Sequence, residues 1–287
     1  MNQEFASLSF RQKIRHKMAH DRRELLTQFA DKAGVKSLVA AKIGSEYVVP
    51  TIQILDDVLE LDFSRLPREF VLKPTHGSQT GILVSEKFER SESEILPVFG
   101  TWEKYYNIHP EDLSRNHSFI KTMIKRWLKS SYRPETEFCY QGIKPRVIIE
   151  KYISSLINDV PFEFRFYTFH GEVKFFRAAI GYSNDLPHFA YNEKGDLLPV
   201  KFSHDLFEVD PTSQPFLPDE WKQMKFFAET LSMRIDFVRV DFLLGTDGIF
   251  FSELTNYPFA GQLRVVPESF DQELSSYWRY FDCCDTH

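Results

Sequence analysis

The residues best placed to do chemistry lie in Phe237 to Pro258, FVRVDFLLGTDGIFFSELTNYP, where Arg239, Asp241 and Glu253 occupy alternate positions in two apolar runs. That alternation around a glycine-bounded turn predicts a β-hairpin. Period-two geometry puts Arg239 and Asp241 on one face with Phe237 and Leu243, and Glu253 and Thr255 on one face with Ile249 and Phe251. A three-residue loop, Thr246-Asp247-Gly248 with Gly248 left-handed, sets Gly245 opposite Ile249. Asp241 then faces Glu253, and Arg239 faces Thr255. A two-residue loop would set Asp241 against Ser252 instead. Facing carboxylates with Cβ atoms roughly 5 Å apart repel. A hard divalent cation such as Mg2+, which takes carboxylate and phosphate oxygens together, resolves that repulsion.

A phosphate site has a candidate upstream, in FVLKPTHGSQTGILV at 70–84. Phe70 to Lys73 reads as a strand, His76 to Gly81 as a polar loop and Ile82 to Val84 as a second strand. Exposed N–H groups and hydroxyls in such a loop can ligate oxyanions, and Lys73 adds a cation beside it. No GxxxxGK[ST] is present, so this is not a Walker loop. His76 reads as a loop residue before a catalytic base.

Around these lie the elements that must position them. Phe10, Ile14 and Met18, then Leu25, Leu26 and Phe29, predict one or two helices. The intervening run Arg11 to Arg23 holds six Lys or Arg, two His and one Asp. It reads as a solvated basic face, with peripheral contact to an anionic membrane surface as the alternative. Residues 30–42 are helical, and Tyr47 to Leu55 forms a strand that Pro50 confines to a sheet edge. Residues 85–118 show no regular pattern, whereas Ser118 to Ser130 is an amphipathic helix. Arg146 to Ile153 and Phe162 to Phe169 read as strands, the latter with Glu163, Arg165 and Tyr167 on one face. A turn at Gly171 leads to Val173–Ala179, which carries Lys174 and Arg177. Helices over 218–233 and 267–281 close the pattern.

The 287 residues suffice for two or three subdomains on a continuous core, and 28 phenylalanines predict aromatic-rich packing. A net charge of −6 argues against nucleic acid as a partner. Cys139, Cys283 and Cys284 have no metal-ligand spacing. No apolar run spans a membrane and no signal-peptide pattern opens the chain, which makes the cytoplasm the expected location, with the inner membrane face reachable through the basic run.

The order of these pieces resembles the ATP-grasp ligases typified by D-alanine–D-alanine ligase, and most closely the TupA-like branch of teichuronopeptide biosynthesis. The resemblance spans residues 8–278 through SFRQKIRHKMAHDRRELLTQFADKAGVKSLVAAKIGSEYVVP, FVLKPTHGS, IKPRVIIEKYI, FVRVDF and ELTNYP. It implies an α/β (α+β) ATP-grasp fold with nucleotide held between two subdomains: an N-terminal α/β region at 1–68, a central subdomain at 69–153 and a C-terminal one at 154–287. It implies Mg2+ and ATP as cofactors, and a carboxylate–amine ligase that forms an amide through an acylphosphate. The substrates implied are a carboxylate-bearing sugar or glycan and an amine or amino acid, in cell-surface polysaccharide biosynthesis. An ATP-grasp phosphotransferase and a non-catalytic ATP-binding module are the alternatives.

By the same resemblance Lys73 contacts ATP phosphates, and Gly77, Ser78, Thr80 and Gly81 form the phosphate-covering loop. Glu150, Lys151 and Ile153 fall in the adenine hinge, and Glu163 at the ribose. Arg239 stabilises acylphosphate and oxyanion, while Asp241 and Glu253 bridge the metal. The third metal ligand is open between Thr255, Asn256 and water. Arg165 and Arg177 read either as an anionic acceptor site or as structural ion pairs. The chain departs from the branch at Gln79, where a second glycine is favoured, and at Phe259-Ala260-Gly261, which replaces a glycine-rich segment.

Overall fold

Four helices begin the chain: α1 (Asn2–Ser7), α2 (Phe10–His20), α3 (Glu24–Ala30) and α4 (Val35–Ile43). A central group follows, with β1 (Thr51–Leu55), β2 (Phe70–Pro74), β3 (Gly81–Val84), β4 (Tyr105–Ile108), α5 (His117–Lys129) and β5 (Val147–Lys151). The remainder comprises β6 (Phe162–Phe169), β7 (Glu172–Ile180), β8 (His188–Asn192), β9 (Lys201–Phe202), α6 (Trp221–Leu231), β10 (Phe237–Gly245), β11 (Gly248–Thr255), β12 (Val265–Val266) and α7 (Glu268–Tyr277). This computed structural model describes residues 2–90, 96, 100–102, 104–133, 135–154, 162–180, 188–202 and 217–279. Cys283 and Cys284, and parts of the stretches at 85–118 and 182–215, lie outside the described residues.

One sheet runs β1-β5-β2-β3-β4, antiparallel except for the parallel pair β3/β4. The strand β4 inside the unpatterned 85–118 stretch was not visible in its sequence. Strict alternation divides this sheet's faces. Phe70, Leu72, Ile82, Val84, Val147 and Ile149 pack against Phe119, Ile120, Met123, Ile124 and Trp127 of α5. The other face presents Val71, Lys73, Leu83, Tyr105 and Glu150 to a cleft. Trp127 is fully buried, with its indole N–H donating to the Thr101 carbonyl at 2.9 Å. Truncating such a side chain costs about 3–5 kcal/mol. Pro50 precedes β1, which occupies the sheet edge as expected.

The second sheet, β11-β10-β6-β7-β8, is antiparallel throughout. One face buries Phe162, Phe164, Phe166, Phe176, Val240 and Phe242 beneath α4 and α6. The opposite face changes character along its length. At one end Tyr167, Phe169, Phe175 and Phe237 pack under α2 and α7. At the other, Glu163, Arg165, Arg239 and Leu243 open to the cleft. The aromatic-rich cores foreseen from composition thus hold both faces. Residues 2–68 contribute to both sheets, with β1 joining the first and α2–α4 packing on the second.

The basic run on α2 is solvated only in part: Arg15, His20 and Arg22 are exposed. Ser9 and Gln12 form a capping box at its start, and two of its lysines turn inward. Lys13 Nζ donates to the carbonyls of Ser275 and Trp278 at 2.7 and 2.6 Å. Lys17 Nζ donates to Asp236 at 3.1 Å and to the Phe237 carbonyl at 2.8 Å. These two lysines are engaged inside the protein, which leaves Arg15 and Arg22 as the exposed arginines of the run. Among the described residues no helix is long and apolar enough to cross one.

Candidate active site

A cleft of about 400 Å3 lies between the polar faces of the two sheets. Its floor is the β10/β11 hairpin, whose geometry differs from the sequence expectation in an instructive way. The turn has two residues, Thr246-Asp247, with Gly245 opposite Gly248. That register alone would set Asp241 against Ser252. A β-bulge intervenes: Phe242 pairs with Phe251, Asp241 with Glu253, and Ser252 is the extra residue between them. The bulge restores the facing carboxylates and sets Arg239 opposite Thr255. It also corrects the faces of β11. Ile249, Phe251 and Leu254 enter the core beneath α6, whereas Glu253 and Thr255 turn to the cleft.

The tip is fixed by close approach. Thr246 N–H donates to the Ser154 carbonyl at 3.0 Å, and a Cβ added at Gly245 would overlap Ile153 and that carbonyl. Ile153, Val49, Leu243 and Phe250 form a small apolar cluster there. Lys151 pairs with Asp247 at 2.5 Å on the exposed side. The expected adenine-hinge segment and the hairpin are therefore one packed unit.

Charges converge on the floor. Arg239 Nε donates to both oxygens of Asp241 at 2.8 and 3.1 Å, and its Nη2 reaches Glu253 at 3.2 Å. The Thr255 hydroxyl donates to Glu253 at 3.1 Å. Asp241 is fully buried behind Arg239. Burial pushes its carboxyl up to about 7, although Arg239 pulls the other way. For Glu253 the balance is reversed: burial would raise it, but Lys32, Arg239 and Lys73 together hold it down to about 2. Arg165 pairs with Glu163 at 2.6 Å at the cleft wall.

The facing wall carries Glu150, buried and shared by two lysines. Lys73 approaches it at 2.6 Å, and Lys36 makes a second, closer pair. Burial opposes that ionisation, yet the two cations keep Glu150 below the ordinary carboxylate range. Ser78 and Thr80 line the cleft. Gly77 gives its carbonyl to Lys32 Nζ, and Gly81 lies against Tyr105. His76 is buried against the Ser130 carbonyl at 2.9 Å. Gln79 adopts φ 57°, a left-handed backbone that favours glycine. Phe259 and Ala260, at φ 52° and 50°, do the same. Holding a left-handed backbone with a residue larger than glycine costs roughly 1–2 kcal/mol at each position.

Arg177 is not at the cleft; it is buried, with its guanidinium 4.2 Å from the Phe202 ring centroid. Asn256 Nδ2 donates to the Leu26 carbonyl at 2.8 Å, while its Oδ1, the atom able to ligate a cation, has no hydrogen-bond partner among the described residues, and the Thr255 hydroxyl donates to Glu253.

Sequence reasoning missed three residues. Lys32, just after α3, reaches Gly77 and lies 3.8 Å from Glu253. Lys36 on α4 ties Glu150 to the Val49 carbonyl and the Thr51 hydroxyl at 2.6 and 2.8 Å. Glu137 lines the cleft. None lies on a patterned strand; Lys32 and Lys36 fall within the helix expected over 30–42, which nothing in the sequence tied to the site.

The sequence profile described as TupA-like ATPgrasp matches residues 12–279. No curated protein matches the sequence. Among solved structures the chain is similar to D-alanine–D-alanine ligase from Bacillus anthracis complexed with ATP, at 14% identity over 81% of this chain and 56% of that one, TM-score 0.38. It is similar to the ATP-grasp ligase PsnB complexed with minimal precursor, at 11% identity over 88% and 62%, TM-score 0.41. VanG D-Ala:D-Ser ligase from Enterococcus faecalis gives 14% identity over 88% and 62%, TM-score 0.41. The chain thus spans 56–62% of the length of these proteins.

Proposed function

The chain belongs to the TupA-like ATP-grasp family, and from that premise we propose that it is an ATP- and magnesium-dependent carboxylate–amine ligase. It would form an amide through an acylphosphate, attaching an amino acid or amine to a uronic-acid-type sugar in cell-surface polysaccharide biosynthesis. The observation that carries this reading is the pairing of Asp241 with Glu253 beside Arg239, across a cleft from Lys73 and Glu150.

The donor set suits Mg2+. Among the described residues no group of three or more His, Cys, Asp or Glu gathers, so protein donors do not close a cage. Two carboxylates with remaining positions open suit an ion shared with phosphates and water. Burial also drives Asp241 toward protonation, a tendency that an adjacent cation reverses. Asp241 and Glu253 would hold the ion, with the Thr255 hydroxyl, Asn256 Oδ1 or water completing the set. When bound, it supplies charge neutralisation for phosphoryl transfer.

The chain's own residues do the rest by position and charge. Lys73 and Lys32 face the phosphates, under the loop that carries Ser78 and Thr80. The segment around Lys151 and Ile153 receives adenine, partly through backbone atoms, and Glu163 the ribose. Arg239 neutralises the acylphosphate and then the oxyanion that forms when the amine attacks. Arg165 is the acceptor-site arginine that remains in the cleft. No side-chain nucleophile is required.

An ADP-release screen of amino acids and amines against uronic acids, with product mass, tests the proposal. The expected product carries the amine's mass. A phosphorylated product without amine would make the protein a phosphotransferase. Tight Mg·ATP binding with no ADP release across the screen would make it a binding module.

A further inference from the structure

The cleft also holds a carboxyl that carboxylate activation does not use. Glu137, between α5 and β5, lines the cleft with a side chain only 8% exposed. Arg133 approaches it no closer than 3.7 Å. Asn256 and Tyr257 also line the cleft, and Asn256 Oδ1 and the Tyr257 hydroxyl are buried atoms with no hydrogen-bond partner among the described residues. The Asn256 orientation is set by its Nδ2 donating to Leu26, which leaves Oδ1 as a pure acceptor. Cys139, two residues along the same segment as Glu137, is buried and also lines the cleft. Tyr140 packs edge-on against Tyr132 at 4.9 Å and adds aromatic wall.

Lys32, Lys73, Arg165 and Arg239 line the cleft beside the carboxylates of the floor and facing wall. Glu137 lines it with Arg133 3.7 Å away and with the aromatic rings of Tyr132 and Tyr140 close by. An unsatisfied buried acceptor is costly, so the cleft suits a ligand that brings donors, and aromatic faces favour a cation.

We propose that the part of the cleft around Glu137 receives the amine substrate as its ammonium ion, and that Glu137 takes the proton that frees the amine for attack. The proposal rests on the ligase reading above. One N–H bond of R–NH3+ breaks and its proton passes to the Glu137 carboxylate. The freed nitrogen lone pair forms a C–N bond to the acylphosphate carbonyl carbon. The C–O bond to phosphate breaks, inorganic phosphate leaves with that electron pair and takes the second nitrogen proton, and Glu137 returns its own proton to water. Burial pushes Glu137 up to about 7, with Arg133 opposing, which suits a base working near neutrality. The other titratable groups facing it are Cys139 and Tyr140 on its own segment and Tyr257 from beyond the hairpin, and burial raises all three.

The test compares the full-length wild type with Glu137→Gln and Glu137→Asp, using Mg·ATP, a panel of uronic acids and two nucleophiles. Hydroxylamine is largely uncharged near neutrality and traps the acylphosphate without a base; ethanolamine or an amino acid arrives as ammonium. E137Q should lose about 100-fold in kcat/KM for the ammonium nucleophile but only a few-fold with hydroxylamine. The wild-type limb that falls below about pH 7 should vanish in E137Q, and E137D should recover part of the rate. Equal losses with both nucleophiles, or none with either, would overturn the proposal. Absence of hydroxamate from the wild type across the panel would remove the ligase reading itself, and this inference with it.

Discussion

Two buried ion networks attach to β10, and they are built in opposite ways. Just before the strand, Asp236 accepts from Lys17 at 3.1 Å, Arg23 at 2.6 Å and the Trp278 indole at 3.1 Å. Asp21 balances Arg23 at 2.5 Å. Two cations meet two anions, and burial of Asp236 is outweighed by Lys17 and Arg23, which hold its carboxyl below the ordinary range. Further along the strand, Asp241 has Arg239 but is still pushed upward by burial, and Glu253 keeps 30% of its side chain exposed to the cleft. The first network is closed and fixes where α2 and the chain end dock. The second faces the cleft, and there burial still outweighs Arg239 at Asp241 while three cations outweigh it at Glu253. Similar residue types thus differ in whether they are sealed inside the protein or open to the cleft.

The sharpest way to break that comparison is to neutralise both networks in turn. Asp241→Asn with Glu253→Gln should lower ATP-dependent ADP release by at least about 10³-fold, with a thermal midpoint within a few degrees of wild type. Asp236→Ala should do the reverse. Breaking a closed buried pair strands Lys17, and the expected loss is about 3–5 kcal/mol by urea denaturation. A midpoint unchanged in Asp236→Ala would show that the first network is not structural.

A smaller effect sharpens the contrast at Glu137. The folded-state carboxyl of Glu137 sits near 7, above its unfolded value of about 4.3. The folded protein therefore holds that proton more tightly, and wild-type stability falls as pH rises between those values. Glu137→Gln, which has no such ionisation, should gain up to about 3 kcal/mol over wild type near pH 8 and progressively less toward pH 5. Denaturation across that range checks the sign; a variant less stable than wild type near pH 8 would contradict it. Smallest of all, Lys151→Ala removes the exposed pair with Asp247 and should change stability by no more than about 1 kcal/mol.

How legible this was in the sequence depended on periodicity. Period-two alternation revealed β6 and the hairpin, apolar runs bounded by polar residues revealed β2, β5 and β7, and an amphipathic pattern revealed α5, which buries one face in a core. The Asp241–Glu253 pairing was reached by way of a three-residue loop, when the molecule uses a two-residue turn and a bulge at Ser252. A bulge changes register without changing composition, and nothing in SELT marks it. Lys13 and Lys17 were misjudged because a lysine-rich helix face normally meets water; their partners, at Asp236, Phe237, Ser275 and Trp278, are more than 200 residues away in the chain. Lys32, Lys36 and Glu137 escaped for a related reason. Their place in the cleft is set by tertiary packing of α3, α4 and the segment before β5.

The central claim is that Asp241 and Glu253 hold a divalent cation against nucleotide phosphates in this cleft. Calorimetric titration of a non-hydrolysable ATP analogue, with and without magnesium, into wild type and the Asp241→Asn/Glu253→Gln variant tests it directly. The expected result is magnesium-dependent binding to wild type that falls by at least about tenfold in the variant. Equal affinity in both proteins, or binding indifferent to magnesium, would contradict it.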